Sequence, residues 1–80
     1  MARLIKSSGE IIQNVDISNL ESMQALVGGH VEFVYLKKGK ILICNEEGLL
    51  RDFKHNIKAS EIYGHPLVGD IVECSSSEVN

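Results

Sequence analysis

Eighty residues carrying a net charge of −3 make one small domain and no more. Charged side chains at 24% and hydrophobic ones at 44% argue against a disordered or fibrous chain, and no stretch nears the roughly 20 apolar residues of a membrane span. Eleven acidic against eight basic side chains argue against general nucleic-acid binding, which needs a basic surface to release counterions, and against an anionic membrane surface.

A chain this short buries about 60–65% of its unfolded surface, so the expected core is thin, one helical layer on one sheet. Residues 3–6 and 11–15 are apolar-rich segments around Ser7-Ser8-Gly9-Glu10, where Gly9 supplies the positive φ a hairpin needs. Ser18-Asn19-Leu20-Glu21 fits a capping box with Ser18 as N-cap. Leu20, Met23, Leu26 and Val27 follow at helical spacing and Gly28-Gly29 closes the segment, which predicts a helix over 18–27. Met23 belongs to its core-facing stripe.

Residues 31–36 alternate with one mostly apolar face, and Ile41-Leu42-Ile43-Cys44 is apolar on both faces, as a central strand is. The lysine-rich Lys37–Lys40 stretch joins them as a hairpin turn. Asn45-Glu46-Glu47-Gly48 reads as a second turn, with Leu49-Leu50 as a short edge strand after it. Asn56 is a good N-cap for a short helix over 56–63, with Ile57, Ile62 and Tyr63 as its apolar stripe. His65-Pro66 cannot continue that helix, and a last strand runs over about 71–74. Residues 1–75 thus form a single α+β domain, and 76–80 a flexible tail. The fold class is a small, mostly antiparallel sheet covered on one face by one longer and one short helix, in the order β-β-α-β-β-α-β. A β-grasp domain shares that order, and a generic antiparallel sheet fits nearly as well.

Cys44 and Cys74 sit in apolar runs and read as reduced core thiols. The first six residues lack the long apolar stretch of a signal peptide, so the expected compartment is the cytoplasm. His30, His55, His65 and the two cysteines match no zinc spacing, so no metal is expected. No Gly-x-Ser-x-Gly, P-loop or dinucleotide fingerprint is present, and Glu46-Glu47 reads as a solvated turn, so an enzyme is the least favoured class and no cofactor is expected.

Charge is uneven along the chain. Residues 51–58 hold Arg51, Lys54 and Lys58 against Asp52, a local +2, while the remainder carries −5. A helix start presents unpaired amides and a positive dipole to phosphate. Around it, Arg51 offers a bidentate contact, Lys54 a point charge and His55 a donor, with Asn56 as cap. Phe53 either packs under a base or fills the core. The competing reading is solvated charges beside an ordinary cap. Gly28 and Gly29 either form a tight turn into the strand or leave a gap for a ligand or a neighbouring subunit, flanked by His30 and Glu32. Tyr35 reads as core or interface, and Tyr63 as the rim of the basic surface.

The run from Leu20 to Glu32 resembles the core of a family of small phage and prophage proteins of unknown function, which reads Leu-x-x-(apolar)-Gln-x-(apolar)-Val-Gly-Gly-(aromatic or polar)-(apolar)-Glu. The run Cys44-Asn45-Glu46-Glu47-Gly48-Leu49 resembles the family's Asn-Glu-Glu-Gly turn, Asn56-Ile57-Lys58-Ala59 its Asn-x-x-Ala, and the run from Val68 to Val72 its terminal Gly-Asp strand. His30 stands where the family commonly has an aromatic. The resemblance covers about residues 20–74. It implies a viral or mobile-element origin and a place in the host cytoplasm. Small accessory phage proteins of this size often antagonise host defence, some by sequestering nucleotide-derived immune signals. The leading expectation is therefore a homo-oligomeric, non-catalytic sponge for a phosphorylated small molecule, with Gly28, Gly29, His30, Arg51, Lys54, His55 and Asn56 as ligand contacts. The alternative is a module that inhibits or recruits a host protein.

Overall fold

The computed structural model describes residues 2–48 and 50–79. Its elements are β1 (Arg3–Ile5), β2 (Ile11–Gln13), α1 (Leu20–Val27), β3 (Val31–Tyr35), β4 (Lys40–Asn45), α2 (Ile57–Tyr63) and β5 (Ile71–Ser75). The α+β class and the element order are as expected. The five strands form one sheet in the order β2-β1-β5-β4-β3, and every neighbouring pair is antiparallel. First and last strands, β1 and β5, run antiparallel side by side. A β-grasp sheet would join them in parallel, so the antiparallel alternative holds.

The helices lie on opposite faces of this sheet, which corrects the expected single covered face. Leu4, Ile41, Ile43, Val72 and Cys74 point to one side and pack with Met23, Leu26 and Val27 of α1. Ile5, Leu42, Cys44 and Ile71 point to the other side and pack with Ala59, Ile62 and Tyr63 of α2. The physical reason is the period of two along a strand. β4 and β5 are apolar at consecutive positions, so both faces need cover, and one helical layer could shield only one. Ile5, Ile41, Leu42, Ile43, Ile71 and Val72 are fully buried, each worth about 1.5–3 kcal/mol on transfer from water. Glu73 is the polar break in β5. It accepts from Arg3 Nε at 2.5 Å across the strand pair, with Lys40 Nζ 3.8 Å from its second oxygen.

Local signals fix the element ends. Asn19, not Ser18, caps α1: its Oδ1 accepts from the Ser22 amide at 2.8 Å. The Ser18 amide is already engaged, donating to Asp16 Oδ1 at 2.9 Å, so the chain enters the helix one residue later than the capping box predicts. Gly28 ends α1 at φ 84°, as a left-handed C-cap glycine does. Between β3 and β4, Lys37–Gly39 makes a single 3-10 turn with Lys38 at φ 62°.

Leu50 lies in a turn and is 87% exposed, so it forms no edge strand; Leu49 falls outside the described residues. Ile57 faces solvent at 66% exposure, and Ala59 takes its place in the buried stripe of α2. Residues 76–78, expected within the tail, form a 3-10 turn capped by Ser75 and Glu78, and Val79 packs against the α1-side core.

Candidate functional site

The segment between β4 and α2 folds back over the C-terminal end of α1. Asn45 makes this possible. It is buried, its Nδ2 donates to the Val27 carbonyl at 3.2 Å, and its Oδ1 accepts from the Glu47 amide at 2.7 Å. One side chain thus closes the end of the helix and starts the loop. Turn bonds from Arg51 N to Glu47 O (2.9 Å) and from Phe53 N to Gly48 O (3.1 Å) carry the loop on, with Asp52 at φ 57°.

Phe53 is seated among glycines. A Cβ on Gly69 would lie 2.7 Å from its ring, and one on Gly28 3.8 Å from the ring tip. Only side-chain-free backbone lets the ring lie so close. Arg51 stands over the same ring, its Cζ 5.6 Å from the centroid, a cation-π distance. Its Nη1 would be 3.5 Å from a Cβ on Gly29, and Asn45 Nδ2 only 2.9 Å. Residues 28–29 and 51–53, well separated in sequence, therefore meet at one corner.

A cleft of about 310 Å³ opens at that corner. Ala25, Leu26, Val27, Gly28 and Phe53 give it an apolar wall, and Ser7, Lys54 and Asp70 a polar rim. Asp70 Oδ1 accepts from the Ser7 amide at 3.0 Å, which fixes that rim. The volume lies at the lower end of the range for small-molecule sites.

The expected site residues divide. Gly28 and Lys54 line the cleft, whereas Gly29 and Arg51 do not line it and lie next to its Gly28 and Phe53. The Gly28 and Gly29 amides both donate to the Gln24 carbonyl, at 2.8 and 3.0 Å, so neither is open to a ligand. His30 is exposed, and its carbonyl accepts from the Glu46 amide. His55, just before α2, has its Nε2 3.2 Å from Ser60 Oγ in the middle of that helix.

Asn56 is fully buried, and its side chain is fully used. It accepts from the Ala59 amide at 3.0 Å and donates to the Ile5 and Gly69 carbonyls, both at 2.8 Å. Neither His55 nor Asn56 lines the cleft, and Asn56 covers the amide expected to face an anion. Tyr63 rims a different hollow, edge-on to His65 at 5.2 Å between ring centroids. Asn45, Gly69 and Asp70 were not among the expected site residues. The signal for Asn45 is an Asx turn at a strand end, Asn45-Glu46-Glu47.

Burial pushes both thiols up to about 11, so they are protonated and unreactive at neutral pH. Cys44 belongs to the α2-side core and Cys74 to the α1-side core, so the sheet separates them. Among the described residues no three His, Cys, Asp or Glu side chains converge as metal ligands, and no buried side-chain polar atom lacks a hydrogen bond. No helix among them is long and apolar enough to cross a membrane.

The model of a family known only as a domain of unknown function, DUF3846, matches residues 1–80. The chain belongs to that family. No curated protein and no solved structure matches it. For this DUF3846 domain the cleft between α1, the 46–54 loop and the Gly69-Asp70 turn is the candidate site.

Proposed function

We propose that this DUF3846 domain is a non-catalytic binding protein of a phage or prophage. It acts in the host cytoplasm and sequesters a phosphorylated, nucleotide-derived signalling molecule, so as to blunt host defence. One observation carries the ligand reading: Gly28, Phe53 and Lys54 line a single cleft with an apolar wall, and Arg51 stands over the Phe53 ring beside it, so two cations lie near a rim that also holds Asp70. A planar base would lie against Leu26 and Phe53, and phosphate oxygens would be held by Arg51 and Lys54 side chains. The backbone amides play no part, since the Gln24 carbonyl takes those of Gly28 and Gly29 and the Asn56 side chain takes that of Ala59. The phage setting rests on the family resemblance of residues 20–74.

The test is equilibrium binding to a panel of cyclic mononucleotides, cyclic dinucleotides and ADP-ribose derivatives. Micromolar or tighter binding by the native protein, weakened at least tenfold by Arg51→Ala or Lys54→Ala, supports the reading. Binding untouched by both substitutions places the ligand elsewhere and overturns it.

A second reading, a module that binds a host protein, has its own observation. Cys44, Leu50, Pro66, Leu67 and Val68 line a second hollow of about 310 Å³, edged by Glu32 and Glu46. Its chemistry suits an apolar peptide segment bearing positive charge. A stable complex with a host protein, in the absence of small-molecule binding, would favour this reading.

A further inference from the structure

The two edges of the sheet are built differently. β2 is three residues long, and Asn14 follows it at φ 56°, breaking the ladder so that the Val15 amide reaches the Ala2 carbonyl. Short length and a kink are the usual ways to blunt an edge. β3 has neither. Its five residues pair continuously with β4, and the strand contains no proline, lysine or bulge.

The hydrogen-bond phase of β3 follows from its two ends. The Glu46 amide donates to the His30 carbonyl, and the Leu36 amide donates to the Lys40 carbonyl. Even-numbered residues therefore bond inward to β4, and the N–H and C=O of Val31, Phe33 and Tyr35 point outward. Among the described residues no strand lies beyond β3 to meet them. Phe33 and Tyr35 also expose 36% and 73% of their surface, on the face that α1 leaves open beside Val31.

We infer that β3 is the interface with a second copy of this chain, paired antiparallel about a two-fold axis at Phe33. Such pairing is independent of the ligand reading. An antiparallel two-fold at Phe33 sets Phe33 opposite Phe33 of the second copy, and Val31 opposite its Tyr35. All three facing pairs are then of the hydrogen-bonded kind, and six backbone bonds form. The strand is self-complementary in this register, as an isologous interface requires.

Side chains agree with it. Glu32 faces Val34 of the second copy, so no two carboxylates oppose each other, and the aromatic rings cluster on one face. Charge agrees as well. The basic turn with Lys37, Lys38 and Lys40 lies at one end of the β3–β4 hairpin, and Glu46 and Glu47 lie exposed at the other. The two-fold axis brings the basic end of each copy to the acidic end of the other. The product is a continuous ten-stranded sheet.

The register makes a charge-swap test possible, because residue 33 meets itself. Sedimentation at high micromolar concentration should give twice 8.8 kDa for the native chain. Phe33→Lys and Phe33→Glu should each sediment as monomers with unchanged far-UV circular dichroism, and their mixture should regain the dimer mass. In parallel, the amides of Val31, Phe33 and Tyr35 should slow in hydrogen exchange at least tenfold as concentration rises. A native chain that stays monomeric at its highest soluble concentration overturns the inference. So does a dimer that both substitutions leave intact, or fast exchange of those three amides at every concentration.

Discussion

Asn56 joins three parts of the fold through one amide group, and its removal should be costly. Its Oδ1 caps α2, and its Nδ2 bridges the end of β1 to the turn before β5. Asn56→Ala forfeits a helix cap, about 1 kcal/mol. It also leaves the Ile5 and Gly69 carbonyls without their donor in a site closed to water, at about 1 kcal/mol or more each. The total is about 3 kcal/mol, against roughly 4–12 kcal/mol expected for a domain of this size. The melting temperature should fall by roughly 12–24 °C.

Urea denaturation of three variants separates the contributions. Asn19→Ala removes the exposed cap of α1 alone and should cost about 1 kcal/mol. Asn56→Asp keeps the cap acceptor but loses both donors and sets a carboxylate against two carbonyls, so it should be no more stable than Asn56→Ala at neutral pH. Equal losses for Asn56→Ala and Asn19→Ala would refute the bridging role. A native-like Asn56→Asp would do the same.

Glycine substitutions should rank by the space around them. Gly69→Ala forces a Cβ within 2.7 Å of Phe53 at φ 80°, whereas Gly64→Ala at φ 88° meets nothing within 4 Å. By chemical denaturation, Gly64→Ala should cost about 1–2 kcal/mol of backbone strain. Gly69→Ala should lose about 1–3 kcal/mol beyond that for the displaced ring. The thiols give a pH dependence. Their folded values, near 11, lie above the unfolded value near 9, so the folded state holds more protons between the two. Stability should therefore fall as pH rises from about 9 to about 11, and Cys44→Ala with Cys74→Ala should flatten that slope in melts taken across the range. At pH 8, iodoacetamide should label neither thiol in the folded protein and both in urea, as read by mass.

Much of the fold is legible in the residues. The two hairpins, both helices and the last strand follow from turn chemistry, caps and apolar runs. Asn56 and Gly28 sit at the helix ends their types predict. The layering was written in the same residues but is easily misjudged. A run such as Ile41-Leu42-Ile43-Cys44 is apolar on both faces, and that alone calls for a helix on each side. Small size argued for a single layer, and the strand pattern overrules it. Ser18 and Asn19 are near-equal caps, and only the Asp16 side chain, by taking the Ser18 amide, decides between them.

The corner was legible in part. Basic residues at 51 and 54 and glycines at 28 and 29 stand out, but nothing local says that they meet. Their meeting depends on Asn45 reaching Val27 and on Phe53 lying against Gly69, contacts between residues far apart in sequence. The destination of the Asn56 donors, 51 residues back at Ile5, is equally invisible locally.

The cleft beside Arg51, Phe53 and Lys54 should hold a phosphorylated nucleotide derivative without altering it. Native mass spectrometry of the protein mixed with cyclic nucleotides and ADP-ribose derivatives tests this most directly, because it reports stoichiometry and bound mass together. Sequestration predicts a retained adduct with the unmodified ligand mass, lost in the Arg51→Ala, Lys54→Ala double variant. No adduct across the panel, or one that the double variant retains, would contradict it.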